Sequence, residues 1–213
     1  MAYNFVAASS QYLSTASAPV SAMPLTIACW ARPTDNTIAC AYSSLGNSGA
    51  QNRFQLYHTS TEVGCSQVST TGTSSASRTV GVPPTNNVWI HCCGVYTTVG
   101  TLQYYLNGST AGVTNALASI AESTLNQFLI GARRAASIGA YMQGDVADVG
   151  IWNVALSVPV IETLAKGFSC RRVRPQSLQY YSPIVRNIQD VRAARAITNN
   201  GTATAAIHPR VYA

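Results

Sequence analysis

Charge is the first scarcity. Asp, Glu, Lys and Arg supply 9% of the 213 residues, well under the roughly 25% of ordinary globular chains. So thin a charge cover suits flat, hydrogen-bonded sheets and close subunit contacts better than a solvated enzyme surface. Paired carboxylates are lacking too. Asp145 and Asp148 are the one close pair, and their odd spacing sets them on opposite faces of a regular strand, so both cannot address one sugar bond as a retaining glycosidase requires. Glu62, Glu122 and Glu162 stand alone.

Nucleophile and phosphate motifs are missing as well. No Gly-x-Ser-x-Gly occurs, no Ser or Cys motif accompanies His58, His91 or His208, and Gly46 and Gly49 lead into no Gly-Lys-Ser/Thr. The histidines therefore read as core or sheet-face residues. Cysteines 29, 40, 65, 92, 93 and 170 form no Cys-x-x-Cys and no metal spacing, so they read as small buried hydrophobes in a reducing compartment. Calcium takes roughly six to eight oxygens. Asp35, Asp145 and Asp148, read as turn and strand-end residues, do not make such a loop, and neither metal nor cofactor is expected. Met1-Ala2-Tyr3-Asn4 lacks the charged start and apolar run of a secretion signal. The uncharged span between Arg78 and Glu122 is broken by Pro83-Pro84, Asn86-Asn87 and Gly100, which excludes a membrane crossing there.

What charge there is lies unevenly. Through Cys170, six basic residues (Arg32, Arg53, Arg78, Arg133, Arg134, Lys166) balance six acids, whereas from Arg171 to Ala213 seven arginines face Asp190 alone. The whole excess of +6 thus sits in the last stretch. That stretch also holds Leu178, Tyr180, Tyr181, Ile184, Val185, Ile188, Val191, Ile197, Ile207, Val211 and Tyr212, too many apolar residues for a disordered linker. It must cover something. The chain accordingly divides into a neutral body, 1–170, and a basic, apolar arm, 171–213. The arm residues expected to bind a partner are Arg171, Arg172, Arg174, Tyr180, Tyr181, Arg186, Arg192, Arg195, Arg210 and Tyr212.

Within the body, Gly144 to Trp152 alternates as a half-buried strand, with Val146 on one face and Ala147, Val149 and Ile151 on the other. A short helix follows: Ser157 caps it, Pro159 falls in its first turn, Ile161, Leu164 and Ala165 form its apolar side, and Gly167 ends it. Asn107-Gly108 marks a tight hairpin turn. Residues 1–13 read as one first strand, Glu62 to Arg78 as a strand and a loop, 116–120 as a helical turn, and 187–196 as a short helix.

The closing strand and helix, ending Trp152-Asn153 and Ala155-Leu156-Ser157, resemble the last motif of laminin-G-like (concanavalin A-like) jelly-roll domains. Leu25–Pro33, Val88–Tyr96, Leu102–Gly108 and Phe128–Arg133 resemble that family's earlier strands, in the right order. The resemblance implies an all-β fold, a two-sheet antiparallel jelly-roll sandwich with one short helix and the C-terminal extension. It also brings glycosidases into view, but the Glu-x-Asp-x-x-Glu of the related glucanases is absent. Arg174-Pro175-Gln176-Ser177-Leu178 resembles a segment that follows this motif in jelly-roll proteins encoded by tailed bacteriophages.

That likeness, with the neutral body and basic arm, predicts a non-enzymatic structural protein of a bacteriophage virion, a capsid cement or decoration protein. Its partners would be the major capsid protein or neighbouring copies, in symmetric homo-oligomers such as trimers on the capsid surface, made in the host cytoplasm. Removing Arg171 to Ala213 would then abolish assembly and leave a β-rich fold. Nucleic acid is disfavoured, because the arginines are scattered among Ala, Val and Ile instead of forming a run. The alternative is a carbohydrate-binding module of a tail fibre or receptor-binding protein. Gly46–Asn52 and Thr70–Ser77 would be its loops and Tyr104, Tyr105 and Tyr141 its aromatic platform, while Trp30, Trp89 and Trp152 pack in the core.

Overall fold

Alternating apolar and polar side chains run through most of the chain. The computed structural model, which describes residues 2–98, 100–115, 125–184 and 188–207, turns that alternation into strands. They begin with β1 (Ala2–Phe5), β2 (Tyr12–Thr15), β3 (Leu25–Pro33), β4 (Cys40–Gly46), β5 (Arg53–His58), β6 (Val63–Val68), β7 (Ser74–Arg78), β8 (Ile90–Thr98) and β9 (Thr101–Leu106). They continue with β10 (Ser109–Thr110), β11 (Val113–Asn115), β12 (Gln127–Ile130), β13 (Arg133–Arg134), β14 (Ile138–Gly139), β15 (Gly144–Trp152), β16 (Leu178–Ser182), β17 (Ile197–Asn200) and β18 (Thr204–Ala206). Among the described residues α1 (Val158–Ala165) is the one α-helix.

Two antiparallel sheets result. The first runs β10-β9-β8-β3-β15-β1-β18, with β16 also paired to β15, and the second runs β11-β7-β6-β5-β4-β12-β2-β17. Their facing sides bury one core that includes Ile27, Phe54, Leu56, Phe128, Val146, Ile151 and Tyr180, as a jelly-roll sandwich does. A second apolar cluster lies on the other side of the first sheet, where Ile161 and Leu164 of α1 meet Ala28, Cys93, Trp152 and Leu178. Helix and tail together close that side. Trp152 fixes them, because its Nε1 donates to the Val173 carbonyl at 2.9 Å.

Several local expectations hold. Ser157 occupies the N-cap position without a side-chain cap bond, Pro159 lies in the first turn, and Gly167, at φ +92°, ends the helix. Asn107 and Gly108 both take positive φ, 51° and 85°, as a tight turn twisted to match its strands requires.

Others are corrected. Residues 1–13 form two strands in different sheets, β1 beside β15 and β2 beside β12, because the chain crosses between layers at Val6–Gln11 through a short 3₁₀ turn. Glu62 to Arg78 makes the β6–β7 hairpin, so half of the loop expected at Thr70–Ser77 is strand. Val88 and Trp89 precede β8. No helix forms over 188–196: Asp190 Oδ1 accepts the backbone N–H groups of Tyr181 and Arg192, and Ala194 sits at φ +53°. The turn expected at 116–120 lies outside the described residues.

Two corrections matter for function. In β15, Asp148 adopts φ +47° and the pairing with β3 shifts between Ala147 and Gly150. This is a bulge, which changes the parity of the strand. Val146 therefore shares the core with Val149 and Ile151 instead of opposing them, and Asp145 and Asp148 both stand on the side away from it. The division at 170 also dissolves: β16 and β18 extend the first sheet and β17 the second. What the apolar tail covers is its own sandwich.

Candidate functional site

The expected arm residues are dispersed by this weaving. Tyr180 is fully buried and lies edge-on to Phe128 with centroids 5.0 Å apart. Tyr181 is 7% exposed and shares a 2.9 Å hydrogen bond with the Ser169 hydroxyl. Arg195 is ion-paired with Asp190 at 2.7 Å and also donates to the Gln179 carbonyl, while Arg192 Nε donates to the Leu178 carbonyl. Tyr180 thus belongs to the core, and Arg195 is tied to Asp190 within the chain. Arg171, Arg172 and Arg174 are exposed, and the first two rim a cleft of about 620 Å³ floored by Ser169 and Tyr181. Arg186, Arg210 and Tyr212 lie outside the described residues.

The aromatic platform is corrected as well. Tyr104 and Tyr105 are buried, in the core and in the helix-side cluster, because each inserts against one face of β9. Tyr141 is half-buried beside Tyr12, ring centroids 6.1 Å apart. Of the tryptophans, Trp152 is buried under the tail. Trp30 is half-buried edge-on to His91, and Trp89 lies under the Arg32 guanidinium at 5.7 Å.

The outer face of the second sheet collects a different set. Phe54, Leu56 and His58 point inward from β5, so Arg53, Gln55 and Tyr57 must point outward. Over the neighbouring β4 lies the β13–β14 hairpin, held by the Arg134 amide donating to Ser44 Oγ at 2.9 Å. Gly46 makes this approach feasible: a Cβ there would stand 2.9 Å from the Arg134 carbonyl oxygen. The hairpin brings Arg133 to a hollow of about 190 Å³ shared with Gln55, Tyr57, His58 and Ala140. A row of polar donors thus flanks a small concavity, and no helix among the described residues covers it.

Electrostatically this face is unbalanced. Arg53 is lowered to about 10, first by burial and then by the charge of Arg133. Arg134 is lowered by burial. Among the described residues Arg53, Arg133 and Arg134 have no carboxylate partner, whereas Arg32, Arg78 and Arg195 pair with Asp145, Glu62 and Asp190. Among the described residues, Arg133 Nε, Arg134 Nε and Ser66 Oγ are buried without a hydrogen-bond partner. Burial pushes Tyr57 up, with Glu62 adding to the shift, and the phenol donates to Glu62 Oε1 at 3.1 Å. His58, closed in by burial, is pushed down to about 4 and so is neutral near pH 7. The alternation of Phe54, Leu56 and His58 in the sequence puts these three on one face of a strand, but the complementary row carries no signal of its own, and Arg133 none beyond its charge.

The acids elsewhere are committed. Asp145 holds Arg32 and accepts from Asn4, and Asp148 accepts from the Cys170 amide, its carboxyl pushed up by burial. Among the described residues no three His, Cys, Asp or Glu side chains gather as metal ligands. The described cysteines are all buried and free, and no described helix is long and apolar enough to cross a membrane.

Comparison with known proteins places this geometry. No curated protein matches by sequence. Among solved structures, a native heptameric SAP-like pentraxin from Limulus polyphemus superposes with a TM-score of 0.64 at 17% identity, over 91% of this chain and 87% of its own. A Bacteroides ovatus ATCC 8483 protein put forward as carbohydrate-binding gives 0.64 at 15% identity, over 96% of this chain but 61% of its own. The CBM40 module of Ruminococcus gnavus IT-sialidase, solved with alpha2,3 sialyllactose bound, gives 0.54 at 14% identity, over 66% of this chain and 82% of its own. At these identities the likeness is one of fold. The Laminin_G_3 family matches residues 7–162, and the chain therefore belongs to the concanavalin A-like lectin/glucanases superfamily.

Proposed function

We propose that this protein is a non-catalytic, lectin-like domain that binds glycan on the outer face of its second sheet. The carrying observation is the asymmetry of the sandwich: helix and tail close the outside of the first sheet, while the outside of the second presents Gln55, Tyr57 and Arg133 around a hollow, with Arg53 hydrogen-bonded to Gln55 beside it. Small-molecule sites combine a concavity with a few fixed polar groups, and Gln55 and Tyr57 offer a sugar an amide and a phenol ring. The carbohydrate-binding neighbours support the same reading. Glu62, which the Tyr57 phenol reaches, is held by Arg78 and Tyr57, and Asp35, near His58, accepts from Thr37, which suits recognition better than hydrolysis. A glycan array on the purified chain tests it. Reproducible binding, reduced at least tenfold by Tyr57→Ala in a variant with unchanged circular dichroism, is expected, and a blank array would refute it.

The virion reading retains one observation, the exposed Arg171 and Arg172 at the 620 Å³ cleft, which suits an acidic surface of a capsid protein or a second copy. Loss of particle attachment in an Arg171→Glu, Arg172→Glu variant would favour it, and unchanged attachment would remove it.

A further inference from the structure

We infer that the glycan taken by this face ends in an acidic sugar, whose carboxylate is received by Arg53 and Arg133. The inference rests on the glycan-binding reading above and adds the ligand's charge. Its basis is a contrast within the molecule. Arg32, Arg78 and Arg195, with side chains 26%, 33% and 23% exposed, each lie against a carboxylate of the same chain. Arg53 and Arg133, also half-buried, have no such partner among the described residues, and their like charges act on one another. Arg134, 6% exposed, stands beside them with Nε unpartnered.

Leaving buried guanidinium nitrogens without acceptors is costly. Two such nitrogens on one face, Arg133 Nε and Arg134 Nε, are a feature to be explained by what binds there. Arg53 is moreover fixed in advance: its Nε donates to Gln55 Oε1 at 3.0 Å and its Nη1 to the Gln51 carbonyl at 2.8 Å. Among the described residues its Nη2 has no hydrogen-bond partner. A held guanidinium loses little freedom on accepting a carboxylate, whose two oxygens match its fork. An anion in the hollow would give Arg133 Nε an acceptor and would lie against Gln55, to which Arg53 is hydrogen-bonded. The hollow of about 190 Å³ has room for one acidic group and part of a ring, while Gln55 and Tyr57 meet the neutral remainder.

Calorimetric titration of the full chain with four probes tests this: lactose, sialyllactose, a glucuronate-terminated disaccharide and 3-sulfolactose. The carboxylated probes are expected to bind at least tenfold tighter than lactose. Arg53→Gln and Arg133→Gln should each bring binding of the carboxylated probes down to the level that the same variant shows for lactose. If a glutamine variant loses its fold, Arg→Lys carries the same comparison, since it keeps the charge without the fork. Equal binding of lactose and sialyllactose, both lost in Tyr57→Ala, would overturn the acidic-sugar inference and keep the lectin reading. Preference for the sulfated probe over both carboxylates would overturn the assignment to carboxylate. An acid preference that survives both arginine substitutions would overturn the assignment of residues, and no binding of any probe would overturn both readings together.

Discussion

His58 and His91 show how a residue can be legible in type and still need the fold to set its chemistry. Both were expected to be core or sheet-face residues, and both are almost fully buried, at 1% and 2% exposure. Burial pushes His58 down to about 4 and His91 to about 3. In the unfolded chain each takes its proton near the ordinary value of 6.5. Between those limits the unfolded state binds more protons, so stability is fully present above pH 6.5 and is lost as pH falls toward 4 and 3. Asp148, pushed up by burial, works in the opposite direction, but it is one group against two. The urea midpoint should therefore fall steadily between pH 6.5 and pH 4, and His91→Gln should flatten the slope. A midpoint flat across that range in the parent chain would contradict the burial of these rings. Asp148 itself marks where residue-level reading stops: its alternation with Asp145 is plain in the sequence, but the positive φ that makes the bulge is not. One inserted residue exchanges faces, so every inference from parity beyond it reversed.

Among the elements, β16 carries most consequence. Leu178, Tyr180 and Ser182 alternate with Gln179 and Tyr181, and the apolar weight of the tail said that it covers something. What it covers could not be read locally, because its partner β15 lies far back in the chain and pairing depends on topology. Tyr180 sits in the central core against Phe128, so Tyr180→Ala should lower unfolding free energy by about 3–5 kcal/mol, the usual cost of removing a buried aromatic ring. Truncation after Cys170 removes β16, β17 and β18, unpairs the edges of β15, β2 and β1, and takes Tyr180 out of the core. The shortened chain is expected to aggregate or lack a cooperative thermal transition, the reverse of the separable arm that charge distribution implied. A truncated chain that melts cooperatively near the parent's temperature would show that the tail is an accessory layer. The candidate site follows a similar pattern. Phe54, Leu56 and His58 announce one face of β5, which fixes Arg53, Gln55 and Tyr57 on the other. Whether that other face would be open or covered is decided by where α1, the tail and the β13–β14 hairpin settle.

For the whole molecule, the account comes down to two unlike exteriors on one sandwich. The fold was legible from the order of its strand blocks and from the strand-to-helix ending at Trp152, since these repeat the alternation and turn chemistry of jelly rolls. The uneven charge was legible too, but its meaning was not: of the described late arginines, Arg195 is neutralised internally, Arg192 donates to the Leu178 carbonyl, and Arg171, Arg172 and Arg174 alone face outward without a described partner. The two arginines with a buried, unpartnered Nε among the described residues, Arg133 and Arg134, belong with Arg53 to the neutral part of the chain. Amide and guanidinium chemical-shift mapping during titration with the best array ligand addresses this directly. The account predicts that the largest perturbations fall on Arg53, Gln55, Tyr57 and Arg133. Shifts gathered instead around Arg171, Arg172 and Tyr181, with β5 silent, would contradict it.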